Sequence, residues 1–428
     1  MVRGVAAADA AARYKDVQAF KAALDKVGFV NRAQFLRVVK FGAIEDTSPY
    51  PNVPSTRALL FAQHFGLVED EYACSHCAAG FKLCLKNDHG VPGWRWRGPR
   101  YDDACEHCQG KEKRVGAGGF FDGADGANWL SKLDVMVMWV LGYDHGKIVE
   151  EERESEHTSH LTVERWLDDF QRAACKHIDD NPVTFETKGR GRAAAAKKGG
   201  RGSRKPPMKR PMKKTPMKTK FAKQAERNAV RKKRVIMADE TFLNKGKRSK
   251  LNAKARPKKD QVWLWGAVLQ GDSNAFIFRV LDHPADALDG RPRGAKEMVA
   301  NLRLIGLRKD DVFVSDKWGG TVAAVTKLRA ENGWPRTKPP HEIVNHSEGE
   351  IVNANGYSTN AIEAKWSVVK RWIRSKYGGR LPQHHVRDKW RNLLKEFQYR
   401  KTYGTHTRDF TNSDKIPLKV FLAHIAEH

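Results

Sequence analysis

The sequence predicts an α/β fold for its C-terminal half, and three observations carry that expectation. Short β-rich runs alternate with helical ones from residue 235 onward, four cysteines form two CxxC pairs near the N-terminus, and a strongly basic stretch separates the two regions. The β-rich runs cover 235–238, 261–269 and 275–281. A helical stretch over 295–307 follows, then a strand over 311–315, a helix over 321–331, a short strand over 342–345 and a long helix over 359–377. That β-β-β-α-β-α-β-α order is the topology of a ribonuclease-H-like domain, a mixed sheet flanked by helices that holds acids at adjacent strand ends.

A chain of 428 residues is too long for one ordinary core, so two or three folded units joined by linkers are expected. The formal net charge of +28 points to a polyanionic partner, nucleic acid first. Between Lys188 and Arg234 twenty Lys or Arg face one acid, Glu226, so this stretch carries +19 of the total. With few apolar residues to offset ordering entropy, it reads as a solvated tether that can still contact DNA. The longest unbroken apolar run, residues 135–141, is far short of the ~20 residues that span a bilayer, so no membrane association is expected. The Ala-rich start contains Asp9 and lacks a continuous apolar segment, so neither a secretory signal nor an oxidising compartment is expected.

The remaining boundaries follow from pattern. Residues 1–70 read as helical, with Val17, Phe20, Leu24 and Val27 at helical spacing and a second such pattern over 56–65. Residues 71–125 are loop-rich and carry the cysteines; residues 126–182 contain helical patterns over 129–141 and 161–177. Thr162 is the expected cap of the latter, which bears Arg165, Arg172 and Lys176 and suggests a helix-turn-helix-like module or a plain helical bundle. The basic linker covers 183–234, the α/β domain 235–405 and a tail 406–428.

Cys74-Ser-His-Cys77 and Cys105-Glu-His-Cys108 are separated by twenty-seven residues. Two such pairs supply the four thiolates that a closed, tetrahedral structural Zn²⁺ takes. In a reducing compartment metal ligation is the first reading of these thiols. Cys84, His76 and His107 are rival ligands, and Cys175, alone on a helix face, reads as a small core residue.

Asp239 follows the apolar run 235–238, Asp316 follows 312–315, and Glu363 lies one turn into the helix expected from residue 359. An acid at the end of a buried strand is costly unless a cation awaits it. The chemistry that uses such acids is two-metal phosphoryl transfer, in which carboxylates hold two Mg²⁺, or Mn²⁺, about 4 Å apart. Lys370, two turns beyond Glu363, and Arg371 beside it are placed to meet a DNA phosphate. Each acid also has an ordinary explanation: Asp239 and Asp316 as strand-end turn residues, Asn360 with Glu363 as a helix-capping pair.

Four stretches, Ala238-Asp-Glu-Thr241, Val314-Ser-Asp-Lys-Trp318, Val344-Asn-His-Ser347 and Ser358-Thr-Asn-Ala-Ile-Glu363 leading to Trp366 and Lys370, resemble the DDE transposases of Merlin-type eukaryotic elements and ISXO-like bacterial insertion sequences. Cys74–Cys108, Gly118-Gly-Phe-Phe121 and the Trp129 helix resemble that family's zinc-ribbon and helix-turn-helix region, so the likeness covers most of residues 56–400. The resemblance implies a catalytic triad of Asp239, Asp316 and Glu363 followed by the basic Lys370, with Glu240 and Asn360 as rivals for the first and third positions. It also implies double-stranded DNA as partner, cleavage and 3′-hydroxyl strand transfer at element ends, and action as a homo-oligomer. The longer gap between the last two acids, ascribed to an insertion over 334–340, the longer cysteine loop and the basic linker depart from the family. A domesticated DNA-binding protein without cleavage and a stand-alone nuclease are the competing functions. The clusters Arg204-Lys205, Lys209-Arg210 and Arg231–Arg234 fit nuclear import in a eukaryotic host, with cytoplasm or nucleoid expected otherwise.

Overall fold

The structure is a computed structural model that describes residues 12–29, 31–50, 53–88, 91–99, 105–115, 121, 129–156, 158–185, 234–242, 263–271, 276–281, 293–376, 387–404 and 415–426. The N-terminal start, residues 118–120 of the Gly-Gly-Phe-Phe motif and the basic stretch 186–233 lie outside them. The chain forms two compact units, Met1–Pro182 with Ser367–His428, and Val183–Trp366.

In the first unit, β1 (Arg13–Asp16) leads into α1 (Val17–Lys26), which Asp16 caps by accepting the Ala19 N–H at 2.8 Å. Asn31 caps α2 (Arg32–Phe35) in the same way, and a π-helical turn over Leu36–Lys40 leads to β2 (Ala43–Asp46), the parallel partner of β1. Residues 13–16 are therefore strand where the helical spacing predicted helix, because the ladder with β2 satisfies their backbone. Phe20 and Leu24 are buried as that spacing requires. After α3 (Pro54–His64), strands β3 (Lys82–Asp88), β4 (Val91–Arg97) and β5 (Glu112–Arg114) form an antiparallel sheet in that order.

Every residue of α4 (Trp129–Val140) is buried, so its charged members need partners. Asp134 accepts two hydrogen bonds from Arg32, each 2.8 Å, and one from Lys40 at 3.1 Å; Lys132 pairs with Asp169 at 3.4 Å. Helices α5 (His145–Glu156) and α6 (His160–Asp180) follow. Ser159, not Thr162, caps α6: its Oγ accepts the Thr162 N–H at 3.2 Å, because the helix begins at His160, one residue earlier than its periodicity indicated.

In the second unit, Arg234 anchors the start of the sheet, although sequence composition assigned it to the linker. Its guanidinium is fixed by Asp311 (2.8 and 2.6 Å) and the carbonyls of Phe185 and Gly306 (2.7 and 3.0 Å). Strands β6 (Val235–Phe242), β7 (Trp263–Leu269) and β8 (Phe276–Val280) are joined antiparallel. Helix α7 (Ala295–Leu304), β9 (Val312–Asp316), α8 (Gly319–Glu331) and β10 (His341–Val344) complete a mixed five-stranded sheet of order β10-β9-β6-β7-β8, with β9 and β10 parallel to β6. Ile236, Ala238, Trp265, Ala267 and Phe313 pack one face against Met298, Val299 and Leu302 of α7 and Ala324, Val325 and Leu328 of α8.

The opposite face receives the start of α9 (Asn360–Lys376) through Trp366, which meets Phe276 edge-on at 5.5 Å. Gly266 makes this possible, since a Cβ there would stand 2.6 Å from the Trp366 ring. From Ser367 onward the chain belongs to the first unit. Helix α10 (Arg387–Tyr403) bonds to α6, with the Cys175 thiol on the Asn392 carbonyl at 3.3 Å, and α11 (Leu418–Ala426) buries Leu418, Phe421 and Leu422 against Trp139 and Phe170. The expected tail is thus partly a core helix, because its apolar residues recur at helical spacing. No described helix is long and apolar enough to cross a membrane.

Replacing Gly266 with Ala should destabilise the protein by about 1–3 kcal/mol, the usual cost of overpacking a filled site. Urea unfolding monitored by tryptophan fluorescence checks it; an unchanged midpoint would mean that the helix does not depend on this approach.

Candidate metal centres

The cysteine knuckles close tightly. Cys74 N–H donates to the Ala79 carbonyl at 2.9 Å and Ala78 N–H to the Cys74 carbonyl at 2.8 Å, leaving Ala78 at φ 57°. The second knuckle ends on Gly110 at φ 63°, and Gly98 lies so close that a Cβ would fall 2.0 Å from the Cys108 carbonyl. The four sulfurs come together without disulfides: Cys74–Cys105 3.7 Å, Cys77–Cys108 3.6 Å and Cys105–Cys108 3.7 Å. A tetrahedron with Zn–S arms of ~2.3 Å has edges of about 3.8 Å, so this set fits Zn²⁺. The His76 N–H on Cys74 Sγ at 3.4 Å holds that thiol below its ordinary pKa, whereas burial, first, and the neighbouring sulfurs push Cys108 up to about 12. A cation among them is what would hold all four as thiolates.

Cys84 is not one of the clustered sulfurs; it sits within β3 opposite Arg95. His76 and His107 also stand outside the set and stack on each other, rings 4.0 Å apart. Burial raises the Cys175 thiol to about 12, as suits a core residue.

In the second unit, β6 and β9 run side by side from Val235↔Val312 to Met237↔Val314, beyond which β6 continues with β7 alone. Two residues past that last rung the same register aligns Asp239 with Asp316. Asp239 is therefore inside β6, not at its end, because β7 carries the strand on to Phe242. Carboxylate oxygens of Asp239, Glu240 and Asp316 lie within 4.8 Å of one another. Asp316 accepts the Trp318 N–H at 3.3 Å. Burial first, then Glu240 and Asp316, with a smaller push from Glu363, raise Asp239 to about 7.

Glu240 is differently served. Arg293 donates to it at 2.7 Å and the Thr321 hydroxyl at 3.2 Å, and the Arg293 guanidinium is sandwiched between Trp318 (3.8 Å) and Trp263 (4.5 Å). Burial still raises the Glu240 carboxyl above its ordinary value, with Arg293 opposing. Three hard oxygen donors with one contacting guanidinium are a donor set suited to Mg²⁺ or Mn²⁺.

Glu363 is outside the group within 4.8 Å. It accepts the Thr359 hydroxyl at 2.9 Å and pairs with His346 at 3.4 Å, and His346 and Thr359 are themselves 2.8 Å apart. Thr359, not Asn360, is thus the partner of Glu363 at the helix start. Lys370 lies two turns further along α9, half-buried, with Arg371 exposed beside it; Arg165 and Arg172 are exposed on α6, Arg172 beside Asp169. Sequence reasoning missed Arg293 and Thr321, whose contacts with Glu240 are distant in sequence, and Thr359, which meets Glu363 one turn on and His346 on the preceding turn. His346 stood within a quoted motif without an assigned part.

No family model matches the chain, and no curated protein matches it in sequence. Among solved structures, it is similar to the Mos1 strand transfer complex at 12% identity, covering 64% of this chain and 95% of that one, with a TM-score of 0.20. A second likeness is to the Mos1 transposase paired-end complex with left transposon end, at 11% identity, 64% and 96% coverage and a TM-score of 0.19.

Two outcomes are expected. Purified protein should carry one zinc per chain by elemental analysis, lost in Cys108→Ser and kept in Cys84→Ser; loss in the latter would move the site. Because Asp239 favours its proton below pH 7, the cluster's contribution to metal-free stability is present near pH 4 and lost as pH rises through 7. Asp239→Asn should flatten that decline in thermal unfolding, and Mn²⁺ should stabilise wild type more at pH 8 than at pH 6.

Proposed function

We propose that the chain is a DNA transposase of the DDE kind, with a ribonuclease-H-like domain, and that it resembles Merlin-type and ISXO-like enzymes in mechanism. The observation that carries this reading is the juxtaposition of Asp239 and Asp316 where β6 and β9 part, with their oxygens and one of Glu240 within 4.8 Å. Divalent cations held there would activate an attacking oxygen and stabilise a leaving one. Asp239 must release its proton to act as a ligand, which makes cleavage steeper on the acid side of pH 7. Glu240, held by Arg293 and Thr321, orients beside the two aspartates, and Glu363 completes the triad from α9. Lys370, Arg371, Arg165 and Arg172 would neutralise DNA phosphates, and the +19 basic stretch would add salt-sensitive affinity for duplex DNA. The four cysteines would hold a structural Zn²⁺ that closes the region of β3 to β5. Assembly as a homo-oligomer on two element ends, and nuclear import in a eukaryotic host, belong to the same reading.

A second reading, a domesticated DNA-binding protein that no longer cuts, is favoured by one observation: Glu363 is engaged by His346 and Thr359 and lies outside the acidic group. The two are separated by incubating the protein and Mg²⁺ with duplex DNA that carries the inverted repeats flanking its own gene. Transposition requires nicks at the repeat ends and joined products, reduced roughly 10²-fold or more by Asp316→Asn or Glu363→Gln. Binding with a log-log salt slope of ~0.9 per phosphate and no nicking by wild type would establish the second reading.

A further inference from the structure

The first unit contains a cavity of about 420 Å³ whose lining includes Asp144, Lys147, Trp372, Lys376, Arg400 and Lys415. Two of its cations are almost wholly buried. Arg400 donates to Glu396 at 2.9 Å and to the Trp139 carbonyl at 2.8 Å, with its guanidinium 4.3 Å from the Trp139 ring. Lys376 donates to the other oxygen of Glu396, and its ammonium is 5.1 Å from the Trp372 ring. Among the described residues Glu396 is the one acid paired with either, so two buried cations face one carboxylate and a positive charge is left over. His145, behind them, contributes no charge, since burial and the nearby Lys376 pull its pKa down to about 3.

A net buried charge is expensive without a counterion, and the carbonyls on Arg400 soften that cost without cancelling it. The charge does not face a sealed core: Lys376 and Arg400 both line the cavity, and among the described lining residues Lys147, Lys415 and Asp144 are the other charged groups. The acid site of the second unit is built of carboxylates; this pocket has the opposite character and size enough for a phosphate group. Arg400 still has N–H groups beyond its bonds to Glu396 and the Trp139 and Val140 carbonyls, and a guanidinium fork with lysine ammoniums is the side-chain set that grips phosphate oxygens.

We propose that this cavity is a phosphate-binding site, taking either a backbone phosphate of bound DNA or a phosphate of a free polyphosphate anion. The proposal is independent of the metal-site reading, since it needs neither metal nor cleavage. Substituting Lys376 or Arg400 risks the fold, so the test uses the outer lysines. Full-length wild type is titrated with inorganic pyrophosphate by calorimetry and thermal shift, beside Lys147→Ala/Lys415→Ala and, as an equal-charge control, Lys26→Ala/Lys309→Ala. The first pair should bind at least about tenfold more weakly, the loss of two charge-assisted hydrogen bonds, while the control binds as wild type. Saturation with duplex DNA then identifies the source: abolished pyrophosphate binding assigns the pocket to the DNA backbone, and unaltered binding assigns it to a free anion. Equal affinity in the two double variants, or no pyrophosphate binding by wild type, overturns the proposal.

Discussion

Two parallel strands that pair for three residues and then part set the terms for everything around them. While β6 and β9 share a ladder, their side chains belong to the packed faces of the sheet; where the ladder ends, Asp239 and Asp316 face each other with no backbone partner between them. Burial denies these carboxylates the water that would screen them, and the result is an Asp239 that holds its proton up to about pH 7. A pocket so strained by like charge has two stable solutions, protonation or a divalent cation. The third nearby acid, Glu240, has its own guanidinium and hydroxyl, yet its charge still adds to the push on Asp239.

Support for that geometry comes from residues around the acids and at the roots of their strands. Gly266 lets Trp366 lie against the sheet and so fixes where α9 begins. Arg293 is immobilised by Trp263 and Trp318 before it reaches Glu240. Arg234 ties the root of β6 to Asp311 at the root of β9, so the two strands enter the sheet in a defined register. The first unit manages buried charge by a different device, short chains of alternating sign: Arg32 and Lys40 on Asp134, and Lys376 and Arg400 on Glu396. The first of these places two cations on one buried acid with Glu151 and Glu152 nearby, whereas the second opens onto a cavity.

Pattern was sufficient to find the strands and helices of the second unit within a few residues of their observed ends, since the strands are short apolar runs, β7 and β9 buried on both faces, set between helical stretches. The cysteine set was legible for a related reason, because a CxxC turn brings two sulfurs together by local geometry. Legibility failed where a partner far along the chain decides the outcome. Residues 13–16 become strand through β2, β6 runs past Asp239 because β7 continues to pair with it, and α11 is recruited into the first unit's core by Trp139 and Phe170. Glu240 is equally a consequence of fold: adjacent strand positions point to opposite faces, so nothing local announces that both would reach Asp316.

Taken alone, the sequence determined the kinds of chemistry available: four thiolates at knuckle spacing, acids after apolar runs, and a charge balance that favours polyanions. These follow from residue type and local spacing, which need no knowledge of distant contacts. Tertiary structure decided which groups actually meet. It joined Asp239 to Asp316 and Glu240, engaged Glu363 with His346 and Thr359, and left Lys376 and Arg400 facing a cavity with one carboxylate between them. The reason is that electrostatic energy depends on separation and burial in space, and residues dozens of positions apart acquire both only when the sheet and helices close around them.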